Sequence, residues 1–463
     1  MSASQASSSP ELGAQKMTPS SSQTSLRATP RSPSRQPSLS HASITDLLSV
    51  APRQENANVP QRDWRTIPCK ELVADQELRF VEENKRIEEA CQMLVDYGMS
   101  SLPIKSESGA VIGTFDYSDL TAFLLMVLGV WKGDPLDPNG NTFQDIASQS
   151  RSGGDIPVKL VKDLGKKDPF ITVSETEGLA KVVEILGSGV HRVAVTREGT
   201  DSVIGVISQL RILDFFWKNA KSFAHIEQLL PLSLRELNFG STQVISINGD
   251  QRVLEALELM NAQGISSLAV IDNHNNVVGN ISNTDVKHLT RSSSLPLIKS
   301  SCLHFLSVIL TDRGLSDGKD SYPVFHVNPH STLAHTVAKI LATRAHRMWL
   351  VEAPSEGNSA PSTPTIPATT AIPPPSLAAA SPLSSSFPTT ASLSVASIPG
   401  GRLSGRLIGV VSLTDILNLI GRSAGLTHLD PGEARRQRRR SSSSSVRASI
   451  DLGRSSFDSM RRS

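Results

Sequence analysis

The stretch Gly409-Val-Val-Ser-Leu-Thr-Asp415 sets a hydroxyl and a carboxylate where a strand ends and a helix begins. Val410 and Val411 are β-branched and suit a strand. Ser412 can cap the next helix, and Leu413, Ile416 and Leu417 give it an apolar face. Asp415 then falls in the first helical turn, where outward N–H groups favour an anion or a ligand hydroxyl. The pattern recurs at Gly279-Asn-Ile-Ser-Asn-Thr-Asp285, with Ser282 and Asp285 in place, at Gly205-Val-Ile-Ser-Gln-Leu-Arg211 and at Gly113-Thr-Phe-Asp-Tyr-Ser-Asp119. Four copies make an internal repeat.

Other chemistry is poorly served. Cys69, Cys91 and Cys302 lack metal-ligand spacing and point to reduced thiols in an intracellular protein. His326, His330 and His335 have no cysteine or carboxylate set beside them, so no metal site is expected. There is no Gly-rich phosphate loop and no nucleophile elbow, and the expectation is a protein that is not an enzyme. The net charge is +2, from 46 basic and 44 acidic residues, so no direct nucleic-acid contact is expected. The most apolar run, Leu120 to Trp131, is shorter than the ~20 residues of a membrane span, so no membrane partner is expected either.

The elements that position the motif repeat with it. In the first copy Leu78-Arg-Phe-Val81 reads as a strand, and Ile87 to Tyr97 as a helix closed by Gly98. Leu102-Pro-Ile104 and Val111 to Phe115 are the strand pair, and a second helix starts at Tyr117. The later copies follow this β-α-β-β-α order, with first strands Phe170–Val173, Val244–Ile247 and Val324–Val327. The fourth copy opens with a helix from about Leu297 to Leu310. The fold class is α/β (α+β), with repeats at 61–135, 155–220, 230–292 and 297–425.

Three segments lie outside that order. Residues 1–60 are Ser/Pro-rich, 353–404 is a Pro/Ser/Thr/Ala insert in the fourth copy, and 429–463 is a basic, Ser-rich tail. Such compositions cannot offset their ordering entropy and read as disordered. Thr29 and Ser32 each precede a proline and suit proline-directed kinases. Ser441, Ser449 and Ser455 follow arginines and suit basophilic kinases, whose phosphate would locally neutralise the basic cluster.

The repeat resembles the cystathionine β-synthase (CBS) domain, over roughly residues 65 to 425 except the insert. That resemblance implies two tandem CBS-pair modules. It also implies that Asp285 and Asp415 face ribose hydroxyls, with Ser282 and Ser412 near the phosphates and Asp119 in the equivalent place. The segment Arg344-Ala-His-Arg-Met-Trp-Leu-Val351 resembles the gamma subunit of AMP-activated protein kinase. His346 and Arg347 would then lie on the phosphate side, and Gly189-Val-His-Arg-Val-Ala-Val195 supplies a second pair, His191 and Arg192. An arginine fork donates bidentately to phosphate. The implied ligand is an adenine nucleotide (AMP, ADP or ATP), with no cofactor required. The same polar residues could instead cap helices and orient strands. Arg211 replaces the aspartate in the second copy, and Asp116 replaces the serine in the first, where it would repel phosphate.

The wider arrangement is similar to the fungal Sds/Moc-type CBS proteins: a Ser/Pro head, Arg62-Asp-Trp-Arg-Thr-Ile67, the insert and the basic tail. This implies an inhibitor of type 2A-like protein phosphatases, with kinases acting on its tails, in cytoplasm and nucleus. It implies roles in nutrient and stress response, cell-cycle progression, DNA replication and cell separation. A homodimer is a further expected assembly. The alternative is an adenine-nucleotide-sensing subunit similar to the gamma subunit.

Overall fold

A computed structural model describes residues 60–131, 140–290, 294–317, 326–353, 405–427 and 430–434. Thr29, Ser32, Ser441, Ser449 and Ser455 lie outside the described residues.

Each repeat forms a three-stranded sheet carrying two helices. In the first, strands β1 (Val81–Glu82), β2 (Ser101–Lys105) and β3 (Val111–Asp116) pair in that order, with helices α1 (Ile87–Asp96) and α2 (Tyr117–Val127). The second has β4 (Thr172–Ser174), β5 (Arg192–Thr196) and β6 (Val203–Ser208), with α3 (Leu179–Gly187) and α4 (Gln209–Lys218). The third has β7 (Ser246–Asn248), β8 (Ser267–Ile271) and β9 (Val277–Ser282), with α5 (Val253–Gln263) and a 3-10 run at Asn283–Leu289. The fourth has β10 (His326–Val327), β11 (Arg347–Val351) and β12 (Leu407–Ser412), with α6 (Leu333–Thr343) and α7 (Leu413–Ser423).

In every sheet the first strand runs parallel to the second and the second antiparallel to the third. Local sequence explains the helices: Ile87, Ala90, Cys91 and Leu94 recur at helical spacing and are buried on one face of α1. Strands β2 and β8 are buried on nearly every residue, so both their faces are covered.

The first strands are shorter than the sequence suggests. Only Val81 of Leu78–Val81 joins the sheet, and β4 begins two residues after Phe170. The insert's boundaries are closed by pairing: the Glu352 N–H donates to the Arg406 carbonyl at 3.0 Å, and the Leu407 N–H to the Asn275 carbonyl at 2.9 Å. A helix at Gly140–Arg151, not foreseen from the sequence, buries Ile146 and Ala147 against repeat 1.

The start of the segment leading into each repeat packs on the tandem partner of that repeat. The first helix of each repeat donates an N–H to the partner's lead-in: Ile87 to Ile156 O, Leu179 to Ile67 O, Val253 to Ser300 O and Leu333 to Leu232 O, all at 2.9–3.0 Å. The helix Cys302–Asp317, expected to open repeat 4, accordingly lies on repeat 3, where Leu306 crosses Gly279. Val73, ahead of repeat 1, likewise covers Gly205 of repeat 2. These two motif glycines have no room for a Cβ, which would sit 2.3–2.4 Å from the crossing side chain.

The helices then build two cores. One joins repeats 1 and 3, where α2 meets α5 and the 3-10 run; the other joins repeats 2 and 4, where α7 meets α3 and α4. A smaller cluster buries the sheets of repeats 3 and 4 together through Ala269, Val277, Trp349 and Val351.

Trp64 shows how much the exchange contributes. It is 1% exposed and meets Phe216 of α4 edge-on, ring centroids 5.1 Å apart. Trp64→Ala is expected to cost ~3–5 kcal/mol, the usual range for deleting a buried aromatic. A chemical-denaturation midpoint unchanged from wild type would show that the lead-in is not part of the repeat 2/4 core.

Candidate functional site

The motif serines and aspartates act first as caps. Ser412 caps α7, and the Asp415 carboxylate accepts from the Ser412 N–H at 2.8 Å and from its hydroxyl at 2.6 Å. Ser282 and Asp285 form the same reciprocal box at the 3-10 run. In repeat 1 Asp116 caps α2, and Asp119 accepts from the Asp116 N–H at 3.1 Å. The reciprocal box therefore forms in three copies, and in the second Ser208 still caps α4 by accepting from the Arg211 N–H at 3.1 Å. In the second copy Arg211 has another use: its Nε–H donates to Leu72 O at 2.7 Å and so grips the lead-in.

The capped helix starts meet in pairs, repeat 3 with repeat 1 and repeat 2 with repeat 4. Asn283, the first residue after its cap, donates through Nδ2 to the Ser118 hydroxyl at 3.0 Å, joining repeats 3 and 1. Gln209 occupies the equivalent place in repeat 2 and donates through Nε2 to the Thr414 hydroxyl of repeat 4 at 2.8 Å. Beside the Asn283–Ser118 contact lies a cavity of about 740 Å³, lined by residues of all four repeats and of the segment joining repeats 1 and 2. That volume falls within the ~300–1,000 Å³ typical of small-molecule sites.

The lining is cationic. With Lys167 taken by Asp119, the lining still holds Lys166, Arg192, Arg344 and Arg347 against Asp116 and Asp168, which leaves basic groups in excess even without the histidines. A concave, low-dielectric wall concentrates such a field on an anion. Arg192 donates through Nη2 to the Ser100 hydroxyl at 2.7 Å, with Nη1 3.8 Å from the Asp116 carboxylate. Asp116 therefore lies close enough to pair with this arginine. Arg347, in the equivalent strand position of repeat 4, donates to the Ser266 hydroxyl at 3.3 Å and to Ser267 O at 3.4 Å. Asn283 Oδ1 is buried in this lining and has no hydrogen-bond partner among the described residues, a cost that a ligand donor would remove.

The two predicted His-Arg pairs come together. The rings of His191 and His346 stack with centroids 6.1 Å apart. His191 receives the Asp168 carboxylate on both its backbone N–H and Nδ1. Burial, followed by the positive fields of His191, Arg192 and Arg347, pushes the pKa of His346 down to about 3. Its imidazole is neutral at pH 7.

Not every predicted residue reaches the cavity. Asp119 is fully buried: its carboxylate takes the Gly165 N–H at 3.1 Å and the Lys167 ammonium, and burial raises its pKa well above the usual carboxylate range. Asp285 is 2% exposed. Asp415 and Ser412 line a separate recess of about 120 Å³ with His191, His346 and Pro431.

Lys166, Lys167, Asp168, Asn283 and Arg344 were missed as site residues. The first three form a charged triplet bracketed by Gly165 and Pro169 just before a strand, and that bracketing is the one signal available. Arg344 adopts φ +54° at the helix end where repeats 1 and 3 have Gly98 and Gly264.

Fold and cavity together define a CBS-domain protein. The CBS domain family matches residues 69–126, 161–218 and 235–291. The protein sds23 of Aspergillus niger is 50% identical over 451 residues, covering 93% of this chain and 88% of that protein. The protein sds23 of Sclerotinia sclerotiorum is 48% identical over 93% of this chain and 79% of its own length. Among solved structures, a protein of Methanocaldococcus jannaschii described as a putative archaeal homologue of g-AMPK aligns at 13% identity, with a TM-score of 0.48. It covers 76% of this chain and 99% of its own. The chain belongs to the Sds23 family, and it is a regulatory CBS-domain protein.

Two outcomes follow. Arg344→Gly relieves a left-handed backbone and removes a cavity cation. It should stabilise the fold by ~1 kcal/mol while weakening anion binding in calorimetry; a loss of stability would refute the strain. His346 stays neutral in the folded chain down to about 3, whereas the unfolded chain takes up that proton near 6.5. The stability it provides above pH 6.5 is therefore lost as pH falls from 6.5 towards 3, by up to ~1.4 kcal/mol per pH unit. His346→Gln should flatten that slope in denaturant titrations; an identical slope would place the proton uptake elsewhere.

Proposed function

We propose that this chain is a non-catalytic regulator that binds an adenine nucleotide at the junction of its four repeats and inhibits a type 2A-like protein phosphatase through its surface. The observation that carries the ligand half is the cationic cavity, where Arg192 and Arg347, one from each module, line the same wall as Asn283, whose buried Oδ1 has no hydrogen-bond partner among the described residues. Phosphate suits the two guanidinium groups, and a ribose hydroxyl or an exocyclic amine can donate to Asn283. Membership of the Sds23 family supports the phosphatase half, because the Sds/Moc-type resemblance implies that activity. On this reading the protein acts in nutrient and stress responses, cell-cycle progression, DNA replication and cell separation, in cytoplasm and nucleus. Kinases acting on the serine-rich ends tune it.

A second reading, an adenine-nucleotide-sensing subunit similar to the gamma subunit of AMP-activated protein kinase, is favoured by one observation: the stacked His191 and His346 with their neighbouring arginines. The two readings differ in partner, a phosphatase catalytic subunit or a kinase.

A purified type 2A holoenzyme acting on a phosphopeptide should be inhibited saturably by the full chain. No inhibition by untreated or kinase-treated protein would withdraw the phosphatase half. AMP should bind with measurable heat, and Arg347→Ala should weaken it by ~1.5–3 kcal/mol, the range for a charged hydrogen bond. Absence of AMP binding in wild type would withdraw the ligand half.

A further inference from the structure

The segment Gly165–Asp168 joins repeats 1 and 2 and belongs to neither sheet. Yet it enters both of their clefts. Lys167 places its ammonium on the Asp119 carboxylate and on Thr114 O. The Gly165 N–H donates to the other Asp119 oxygen at 3.1 Å. A Cβ on Gly165 would lie 2.6–2.8 Å from the Ser118–Asp119 backbone, so the chain is pressed directly onto the start of α2. One residue on, Asp168 turns to repeat 2, and its carboxylate takes the His191 N–H at 3.0 Å and contacts Nδ1.

The two contacts have opposite sign and the same logic. A carboxylate at the start of a capped helix is a natural acceptor for ligand donors, and here a lysine fills it. A backbone N–H and an imidazole beside an arginine are natural partners for an anion, and here an aspartate fills them. We propose that residues 165–168 are a built-in occupant of the cavity, with Lys167 closing the repeat 1 cleft and Asp168 standing where a ligand anion would meet His191. The occupant determines specificity. It leaves a soluble anion the side of the cavity lined by Ser282, Thr284, Arg344 and Arg347, and makes that anion compete with Asp168 for the His191 side. This inference rests on the nucleotide reading only for the identity of the ligand.

The test is calorimetry of the full chain with two probes, inorganic pyrophosphate and AMP, in wild type and Asp168→Asn. Removing the competing carboxylate should tighten both probes by ~10-fold or more, the scale of one like charge at close range. If pyrophosphate tightens and AMP binds neither protein, the occupant stands and the nucleotide reading falls. If AMP binds wild type but neither probe tightens in the variant, the occupant is refuted and the nucleotide reading stands. If neither probe binds either protein, both are refuted. Should Asp168→Asn fail to fold by circular dichroism, Asp168→Ser gives the same comparison.

Discussion

The exchange of lead-in segments is the constraint on which the rest depends. A three-stranded sheet with two helices leaves its first helix start and one sheet face uncovered, and in this chain the neighbouring repeat's lead-in covers both. The same N–H to carbonyl bond recurs at Ile87, Leu179, Val253 and Leu333. A repeat therefore cannot complete its core without its tandem partner. Because the lead-ins are spoken for within a pair, the helices remain free to pack across pairs, repeat 1 on 3 and repeat 2 on 4. That arrangement brings the capped helix starts of repeats 1 and 3 and the starts of β5 and β11 to one cavity, and the helix starts of repeats 2 and 4 to the recess beside it.

The cavity departs from the symmetry that creates it. Asn283–Ser118 and Gln209–Thr414 are matched contacts, and Arg192 and Arg347 are matched positions. The departures are chemical. Repeat 1 has Asp116 where repeats 3 and 4 have serine, and repeat 2 has Arg211 where the others have aspartate. Asp116 helps to fix Arg192, and Arg211 fixes the lead-in. Substitutions that read as damage to a ligand site are, in the structure, adjustments to holding the site together.

The fold was largely legible because it rests on local periodicity, repeated four times. The Gly-h-h-Ser-x-x-Asp motif marked each strand-to-helix turn, and α1 and α7 follow directly from their apolar spacing. The exchange was not legible, because the lead-in around Trp64 or Cys302 carries no local sign of which repeat it joins. The site was legible in part. His191, Arg192, His346 and Arg347 line the cavity, whereas Asp119 is sealed beneath Lys167. No periodicity could reveal that a linker lysine 48 residues away reaches that carboxylate. The same limit hid Asn283, whose importance lies in an unpaired oxygen rather than in its residue type.

The most direct test of the account is a crystal structure of the full chain grown with AMP. The phosphate is expected within hydrogen-bonding distance of Arg347, with Asp119 still bound to Lys167 and Gly165. A nucleotide whose ribose sits on Asp119 with Lys167 displaced, or one bound away from the cavity altogether, would contradict it.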